Sequence, residues 1–568
     1  TLSNSSGIGG KKLQLSASAF NTAKKHKARS AEYNLKEGSK EYEFTYQLGD
    51  NAVLWSDLQP ALYQLKAEIN GIDEKTVRFG LRDFKTEETH FAKTFLRGKH
   101  DACVFPLTGH TAMDLEQWRR YFRICKEYGL NHCRFHSWCP PAACFEAADL
   151  EGIYLQPELP IWGGFKKESA ELMDFLMKDG ENIMREYSNH ASFVLFALGN
   201  ELGGDIDVMK EFVDCFRSIE PRHLYTYGSN IFLGSRGHIP GEDFLVTCRV
   251  GSGEGYTHAR ASFSFADAEE GGYLNNTYPN SVMNFDEALE KSPVPVIGHE
   301  TGQFQTYPNY EEMKKYTGVL APWNFEVFRD RLEKAGMLEQ ADDFFKVSGA
   351  WSVELYRADI EMNLRSKRMA GFQLLDLQDY PGQGSAYVGI LDAFMDSKGL
   401  VEPKKWREFC SEVVPLLTTA KFCWTGGESF AGTVEIANYG ETSLNEKSIS
   451  WELKNGKKSL GKGKMAIPSG LGLLTAGTIR LTLPDVEQAY KAELLLKVSG
   501  TSYQNSYPLW IYPAKKQLKA GNVVVARQLT DDVLNALKQG GKVLLMPLEE
   551  DCKEVTVGGL FQTDYWNY

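Results

Sequence analysis

Between about residues 86 and 417 the chain repeats one alternation, a short apolar run followed by a helical stretch. This constrains the fold most, because strands separated by helices read as parallel strands joined by crossovers. Eight runs qualify: Asp101–Leu107, Asn131–Ser137, Ile153–Pro160, Ser192–Glu201, Leu224–Asn230, Phe244–Val250, Val294–Thr301 and Gly371–Tyr380. Several are apolar on both faces, as in Val194-Leu-Phe-Ala-Leu198, which fits a strand between a helix layer and a packed interior. Between the first two runs, Leu115, Trp118, Phe122 and Cys125 recur at helical spacing, and Gly129 suits the C-terminal cap. Eight such units predict a (β/α)8 TIM barrel with inserted loops. A doubly wound open sheet is the alternative, but no GxGxxG follows the first run.

At 568 residues the chain is too long for one hydrophobic core. Residues 1–85 carry short alternating stretches, among them Tyr42-Glu-Phe-Thr-Tyr46 and Tyr63-Gln-Leu-Lys-Ala-Glu-Ile69, and read as a small β-sandwich. The barrel is expected over 86–417 and a second sandwich over 418–513, with strands such as Gly432-Thr-Val-Glu-Ile-Ala437 and Ala492-Glu-Leu-Leu-Leu-Lys-Val498. Residues 514–568 give strand Val523-Val-Val-Ala526, a helix opening near Thr530 and strand Val543-Leu-Leu-Met546. A lone unit of that kind cannot bury its faces, so it reads as the start of a further α/β domain that continues past Tyr568. The opening at Thr1 without a Met reads as an excised or processed segment.

A net charge of -12 argues against a nucleic-acid partner, which needs concentrated Lys and Arg. The basic stretch Lys24, Lys25, His26, Lys27 and Arg29 is short and reads as a solvated hairpin tip. No run of about 18 apolar residues exists to span a membrane. Of the ten cysteines, Cys103, Cys125, Cys133, Cys144, Cys215 and Cys248 fall inside expected strands or helices and read as small buried hydrophobes. With no CxxC or Cys/His ligand spacing, no metal is assigned. Cys139 lies in an expected barrel-mouth loop, where burial is a plainer reading than reactivity.

Active sites of such barrels lie at the C-terminal ends of the strands, and two glutamates stand there. Glu201 ends the fourth run and Glu300 the seventh. By period-two alternation Ala197, Gly199 and Glu201 share one face, as do Val296, Gly298 and Glu300, so both carboxylates point inward. Cleavage of a glycosidic bond needs such a pair: an acid protonates the departing oxygen while a carboxylate attacks the anomeric carbon or directs water to it. Separation decides which. At the roughly 5–5.5 Å of retaining enzymes, two charges at an effective dielectric of 20 repel by about 3 kcal/mol, or roughly two pKa units. One carboxyl then stays protonated until its partner becomes an ester, after which it can serve as base.

The segment Asn189-His-Ala-Ser-Phe-Val-Leu-Phe-Ala-Leu-Gly-Asn-Glu201 resembles the acid/base signature of glycoside hydrolase family 2, which includes β-galactosidases, β-glucuronidases and β-mannosidases. Leu54-Trp-Ser-Asp-Leu-Gln-Pro-Ala-Leu-Tyr63 and Phe79-Gly-Leu-Arg82 resemble the end of that family's immunoglobulin-like domain. Leu96-Arg-Gly-Lys-His100 and Asn131-His-Cys-Arg-Phe-His136 resemble its first two barrel strands. The resemblance covers about residues 45 to 400, without the family's N-terminal jelly roll. It implies that Glu201 is the acid/base, that Asn200 bonds the sugar 2-hydroxyl, that Glu300 is the nucleophile and that no cofactor is needed. It also implies an oligosaccharide or polysaccharide substrate, a retaining exo-β-glycosidase activity on a terminal galactose or uronic acid, and a periplasmic or secreted location. The family often carries an Asn and a Tyr on the sixth strand, whereas this chain has Thr247-Cys-Arg249, leaving Arg249 or Tyr256 as candidate partners of the nucleophile.

Arg134 and His136 alternate inward on the second run, where Arg134 either orients a catalytic carboxylate or satisfies barrel carboxylates. Glu158 either binds hydroxyls or pairs with Arg134. Trp138 and Trp162 offer flat apolar surface to a sugar or else fill core. Asp376, Gln378 and Asp379 precede Pro381-Gly-Gln-Gly384, a loop suited to gripping hydroxyls, though Asp379 also suits a turn cap. Arg249, as an inward cation, would favour a uronate carboxylate or neutralise Glu300. Two rivals remain: a non-catalytic carbohydrate-binding barrel scaffold, and a metallohydrolase built on His100, His132, His136 and Asp101.

Overall fold

The computed structural model describes residues 9–22, 30–36, 42–69, 71–91, 93–250, 259–260, 278–381, 386–440, 444–514 and 520–555. The basic stretch at 24–29, Tyr256, residues 382–384 and the chain's last residues lie outside them.

The centre is mixed α/β. Its parallel strands are β1 (Leu96–Asp101), β2 (His132–Phe135), β3 (Tyr154–Gln156), β4 (Leu195–Ala197), β5 (Leu224–Thr226), β6 (Leu245–Thr247), β7 (Val296–Gly302) and β8 (Met369–Leu375). Six form one parallel sheet in the order β6-β7-β8-β1-β2-β3, half of a barrel, and β4 pairs with β5. Isolated parallel bridges join Leu155 to Phe193, Glu158 to Ala197 and Ser229 to Val246.

The first strand lies earlier than the apolar pattern predicts, at 96–101 instead of 101–107. The cause is visible in its composition: Arg97, Lys99, His100 and Asp101 are all buried, so the strand does not read as apolar. Residues 102–107 form the loop after it, with Cys103 at φ 59 and exposed, not packed in a strand. Helix α1 (Leu115–Glu127) follows the predicted spacing, burying Trp118, Phe122 and Cys125. Asp114 caps its start by accepting from Gln117 N, and Gly129 ends it at φ 78, where a Cβ would stand 1.8 Å from Cys410 O.

The first 80 residues form one four-stranded antiparallel sheet among the described residues, of Lys12–Ala19, Ser30–Asn34, Tyr63–Ile69 and Asp73–Phe79. Tyr42–Tyr46 is not a strand; its rings cover the sheet, with Phe44 4.4 Å from Tyr33 and the Tyr46 hydroxyl accepting from Ala17 N. Trp55 and Arg82 fasten this sheet to the base of the parallel strands, donating to Asp149 O and His190 O.

After β8 come a three-stranded and a five-stranded sheet packed over a shared core of Phe430, Val434, Leu453, Leu494 and Ile511. Arg357, on the helix Ala341–Arg365, enters that unit and donates to Asn505 Oδ1 and Ser506 O. The last described unit is Val523–Ala526, a helix Asp531–Lys538 capped by Thr530, and Lys542–Leu545, the two strands parallel. Among the described residues no helix is long and apolar enough to cross a membrane.

Candidate active site

Glu201, past the end of β4, and Glu300, at a register shift within β7, both stand in the left-handed region, at φ 46 and φ 45. This replaces the expected alternation. Strand β4 stops at Ala197, and Asn200–Gly204 leaves it to pair with Trp162–Phe165. On β7 the register shifts between Gly298 and Thr301. A Cβ on Gly298 would meet Thr301 Oγ1 and Asn363 Oδ1 on the helix side, so Gly298 faces outward and His299 inward. The left-handed turn at Glu300 then aims the carboxylate back to the interior. Non-glycine residues at positive φ carry strain, and such strain gathers at functional sites.

Arg134 is the hub. Fully buried, it donates from Nε to Glu158 Oε1 at 2.7 Å and from Nη2 to Asn200 Oδ1 at 2.6 Å, while Nη1 stands 3.4 Å from Glu300 Oε1. One guanidinium on β2 therefore touches the neighbour of Glu201 and Glu300 itself. Glu158 is fully buried, and its oxygens also accept from Ser137 N and Ser229 Oγ. Burial alone would push Glu158 up, but Arg134 holds it below the usual carboxylate range. Glu158 thus supports Arg134 from behind instead of meeting hydroxyls.

Two imidazoles flank the same carboxylate, and a third stands behind them. His299 Nε2 lies 3.4 Å from Glu300 Oε1 and bonds Asn200 Oδ1 at 3.1 Å, and His136 Nε2 lies 3.8 Å from Glu300 Oε1. His100 sits behind His136, rings 6.0 Å apart. Burial keeps all three neutral, pushing His136 down to about 3 and His100 and His299 well below their ordinary value. With Asn200 Oδ1 committed to Arg134 and His299, its Nδ2 is the end available to donate to a ligand hydroxyl.

Trp162 is 54% exposed and edge-on to His136 at 5.1 Å. Trp138 is half-buried against Phe135 and Trp118, its Nε1 donating to Asp101 O. The three residues after β8 do not act together. Asp376 lies between Lys99 Nζ at 3.4 Å and His100 Nδ1 at 3.1 Å, and Gln378 accepts from Lys99 Nζ. Asp379 is sealed in by Lys398 Nζ at 2.7 Å and Gly389 N, so it fixes its loop and does not grip hydroxyls.

Arg249 lies on a separate, short pairing. It follows the end of β6, in a two-residue antiparallel pairing with Ala259–Arg260, and so lies just past the parallel strand and not within it. Burial pushes the Cys139 thiol up, away from the reactive thiolate. His132 has both nitrogens engaged, by Tyr154 O and Gln373 Nε2, and among the described residues no group of three or more His, Cys, Asp or Glu is placed to hold a metal.

Pattern reasoning missed His299, adjacent to Glu300, and Tyr380. The Tyr380 ring lies 5.5 Å from His100, and its phenol is pushed up to about 12 by burial and then by the Glu300 carboxylate.

Beside this site the loops after β7 and β8 share a buried charge cluster. Glu312 Oε1 has no partner, and Asp379 and Asp392 face it together with Lys398 and Lys315. Burial, then Asp379, push Glu312 up to about 8. A carboxyl whose folded pKa is raised binds its proton more tightly in the folded state. Its stabilising contribution is full below the unfolded value, about 4.3, and is lost as pH rises towards about 8. Glu312→Gln should therefore flatten the fall in Tm over that window and melt a few degrees above the wild type at pH 8.5; an unchanged slope in thermal melts would count against this.

A family model for "Glycosyl hydrolases family 2" matches residues 2–82, and one for a domain of unknown function matches residues 428–513. No curated protein matches the chain. Among solved structures, an FMN-binding β-glucuronidase from Facaelibacterium prausnitzii is 12% identical at TM-score 0.45, over 90% of this chain and 70% of that one. A Parabacteroides merdae β-glucuronidase with glycerol in its active site is 14% identical at TM-score 0.47, over 90% and 61%. A β-galacturonidase from Eisenbergiella tayi bound to galacturonate is 15% identical at TM-score 0.45, over 71% and 67%. The chain thus spans about three fifths of the Parabacteroides merdae enzyme's length. The likeness to the family model is confined to the N-terminal unit: residues 2–82 are similar to a segment of the glycosyl hydrolases of family 2.

Proposed function

We propose that this chain is a retaining exo-β-glycosidase that removes a terminal β-linked galactose or uronic acid from an oligosaccharide or polysaccharide, met in a periplasm or outside the cell. In this reading β1 to β8 close into a (β/α)8 barrel through the bridges between β3 and β4 and between β5 and β6. Glu201 protonates the departing oxygen, Glu300 attacks the anomeric carbon, and Glu201 then deprotonates the water that releases the sugar. The observation that carries the reading is the Arg134 guanidinium, which links Asn200, next to Glu201, with Glu300 from a third strand. It supplies the nucleophile's counter-charge from a buried, fixed position, which costs no reorganisation during reaction. The neutral imidazoles and Asn200 Nδ2 add hydrogen-bonding groups without adding charge.

A panel of aryl β-glycosides, uronides included, tests the activity and its sugar. Glu201→Ala should slow turnover of a substrate with a poor leaving group by about 10²- to 10⁴-fold, the usual worth of a general acid. On an activated aryl glycoside, where breakdown of the glycosyl-enzyme limits turnover, azide should restore the rate and appear in the product as a β-glycosyl azide. Sugar binding without turnover by the wild type would instead support a non-catalytic scaffold.

A further inference from the structure

An ammonium is out of place where Lys99 lies. A Cβ on Gly98 would stand 2.5 Å from His132 Cδ2, so Gly98 and His100 face the interior while Lys99 faces α1. The layer between strands and helices is normally apolar, yet Lys99 is fully buried in it. Its Nζ donates to the Tyr121 hydroxyl and to Gln378 Oε1, and stands 3.4 Å from Asp376 Oδ2. Tyr121 passes the contact on, donating to Asp101 Oδ2 at 2.6 Å. Burial works against the ammonium, but Asp376 and Asp101 outweigh it and raise its pKa. The two carboxylates thus favour the charged form of Lys99.

Asp376 is the group whose charge is in balance. Burial pushes it up to about 7 against the pull of Lys99. Across from Lys99, its Oδ2 lies 3.1 Å from His100 Nδ1, not in line for a hydrogen bond, and Nδ1 has no other partner. The charge on Asp376 therefore decides which ring nitrogen carries the proton. An ionised Asp376 attracts a proton on Nδ1 and leaves Nε2 an acceptor; a neutral one exerts no such pull, and Nε2 can then carry the proton as a donor. Arg134 and Glu158 also face His100, with His136 and Tyr380 edge-on to its ring. Because burial keeps the imidazole neutral, only its tautomer changes.

We propose that Lys99 is a positioning residue for the sugar site: from the helix side of β1 it holds Asp376 charged and so makes His100 Nε2 an acceptor for a sugar hydroxyl. This rests on the glycosidase reading above. The test is kcat/KM against pH for the wild type, Lys99→Met, Asp376→Asn and the double variant. Lys99→Met should move the acid limb up by about one pH unit or more, with a loss of about tenfold near neutral pH carried mainly by KM and recovered at higher pH. In the Asp376→Asn background the same substitution should shift nothing. A uniform loss at every pH, or a shift that survives in that background, would overturn the proposal.

Lys99→Gln keeps donors for Tyr121 and Gln378 without the charge and replaces the methionine variant if that one does not fold. Thermal melts separate this inference from the glycosidase reading. Without Lys99 the folded pKa of Asp376 rises further, so Tm should fall over a wider span of rising pH than in the wild type, and not in the Asp376→Asn background. That result stands even if no glycoside is turned over, and identical pH slopes would sink the proposal on their own.

Discussion

Glu300→Gln should lower kcat for an aryl β-glycoside by on the order of 10⁴- to 10⁶-fold, the cost of deleting a group that forms the covalent intermediate in other covalent enzymes. The amide keeps the volume and can still meet Arg134 Nη1 and His299 Nε2, which now stand 3.4 Å from Oε1. What it removes is the negative charge and the nucleophilic oxygen. KM should therefore change far less than kcat, and added azide should restore nothing when Glu201 remains in place. Steady-state kinetics checks this, with thermal melts to confirm folding. Retention of even a tenth of wild-type kcat would remove Glu300 from the chemistry.

The two glutamates stand out in the sequence because they close apolar runs, and the local motif around Glu201 is specific. The backbone turns at both were not legible. Alternation places Gly298 and Glu300 on one face, whereas the chain turns Gly298 outward and recovers Glu300 by a left-handed residue after a register shift. No periodicity encodes such a kink, because it depends on which neighbouring strand supplies the next hydrogen bond. The misplaced first strand has a related cause. Its buried Arg97, Lys99, His100 and Asp101 are paid for by partners on other elements, such as Tyr121 and Asp376, and a pattern of apolar residues cannot register them. Helix α1, by contrast, was readable, because its register is set by one apolar face and a capping glycine within the same segment.

The same distinction explains the candidate residues. Glu158 and Asp379 are acids at strand ends, which a sequence presents as potential ligand contacts. Their partners, Arg134 and Lys398, make one a support and the other a loop fastener. His299 went unremarked because a histidine beside a glutamate has no special spacing; its meaning comes from Asn200, nearly a hundred residues away in the chain, with which it shares a hydrogen bond.

Arg134→Met should destabilise the central unit by about 3 to 5 kcal/mol, the cost of breaking a buried ion pair from one side. Glu158 has no exposure to water, so after the substitution its charge would be met only by Ser137 N and Ser229 Oγ. Two neutral donors do not replace a guanidinium, and the carboxylate would take up a proton to escape the penalty. The sign with pH follows. In the wild type Glu158 lies below its usual range, so it contributes stability above the unfolded value that is lost as pH falls through the folded one. In Arg134→Met the folded value moves above the unfolded one, and stability should instead fall as pH rises. Adding Glu158→Gln should restore much of the loss, since an uncharged amide in that place no longer demands a cation. Urea unfolding at pH 5 and pH 8 reads all three results. A loss below about 1 kcal/mol for Arg134→Met, or no rescue by Glu158→Gln, would mean that the pair is not the fixed point on which Asn200 and Glu300 are hung.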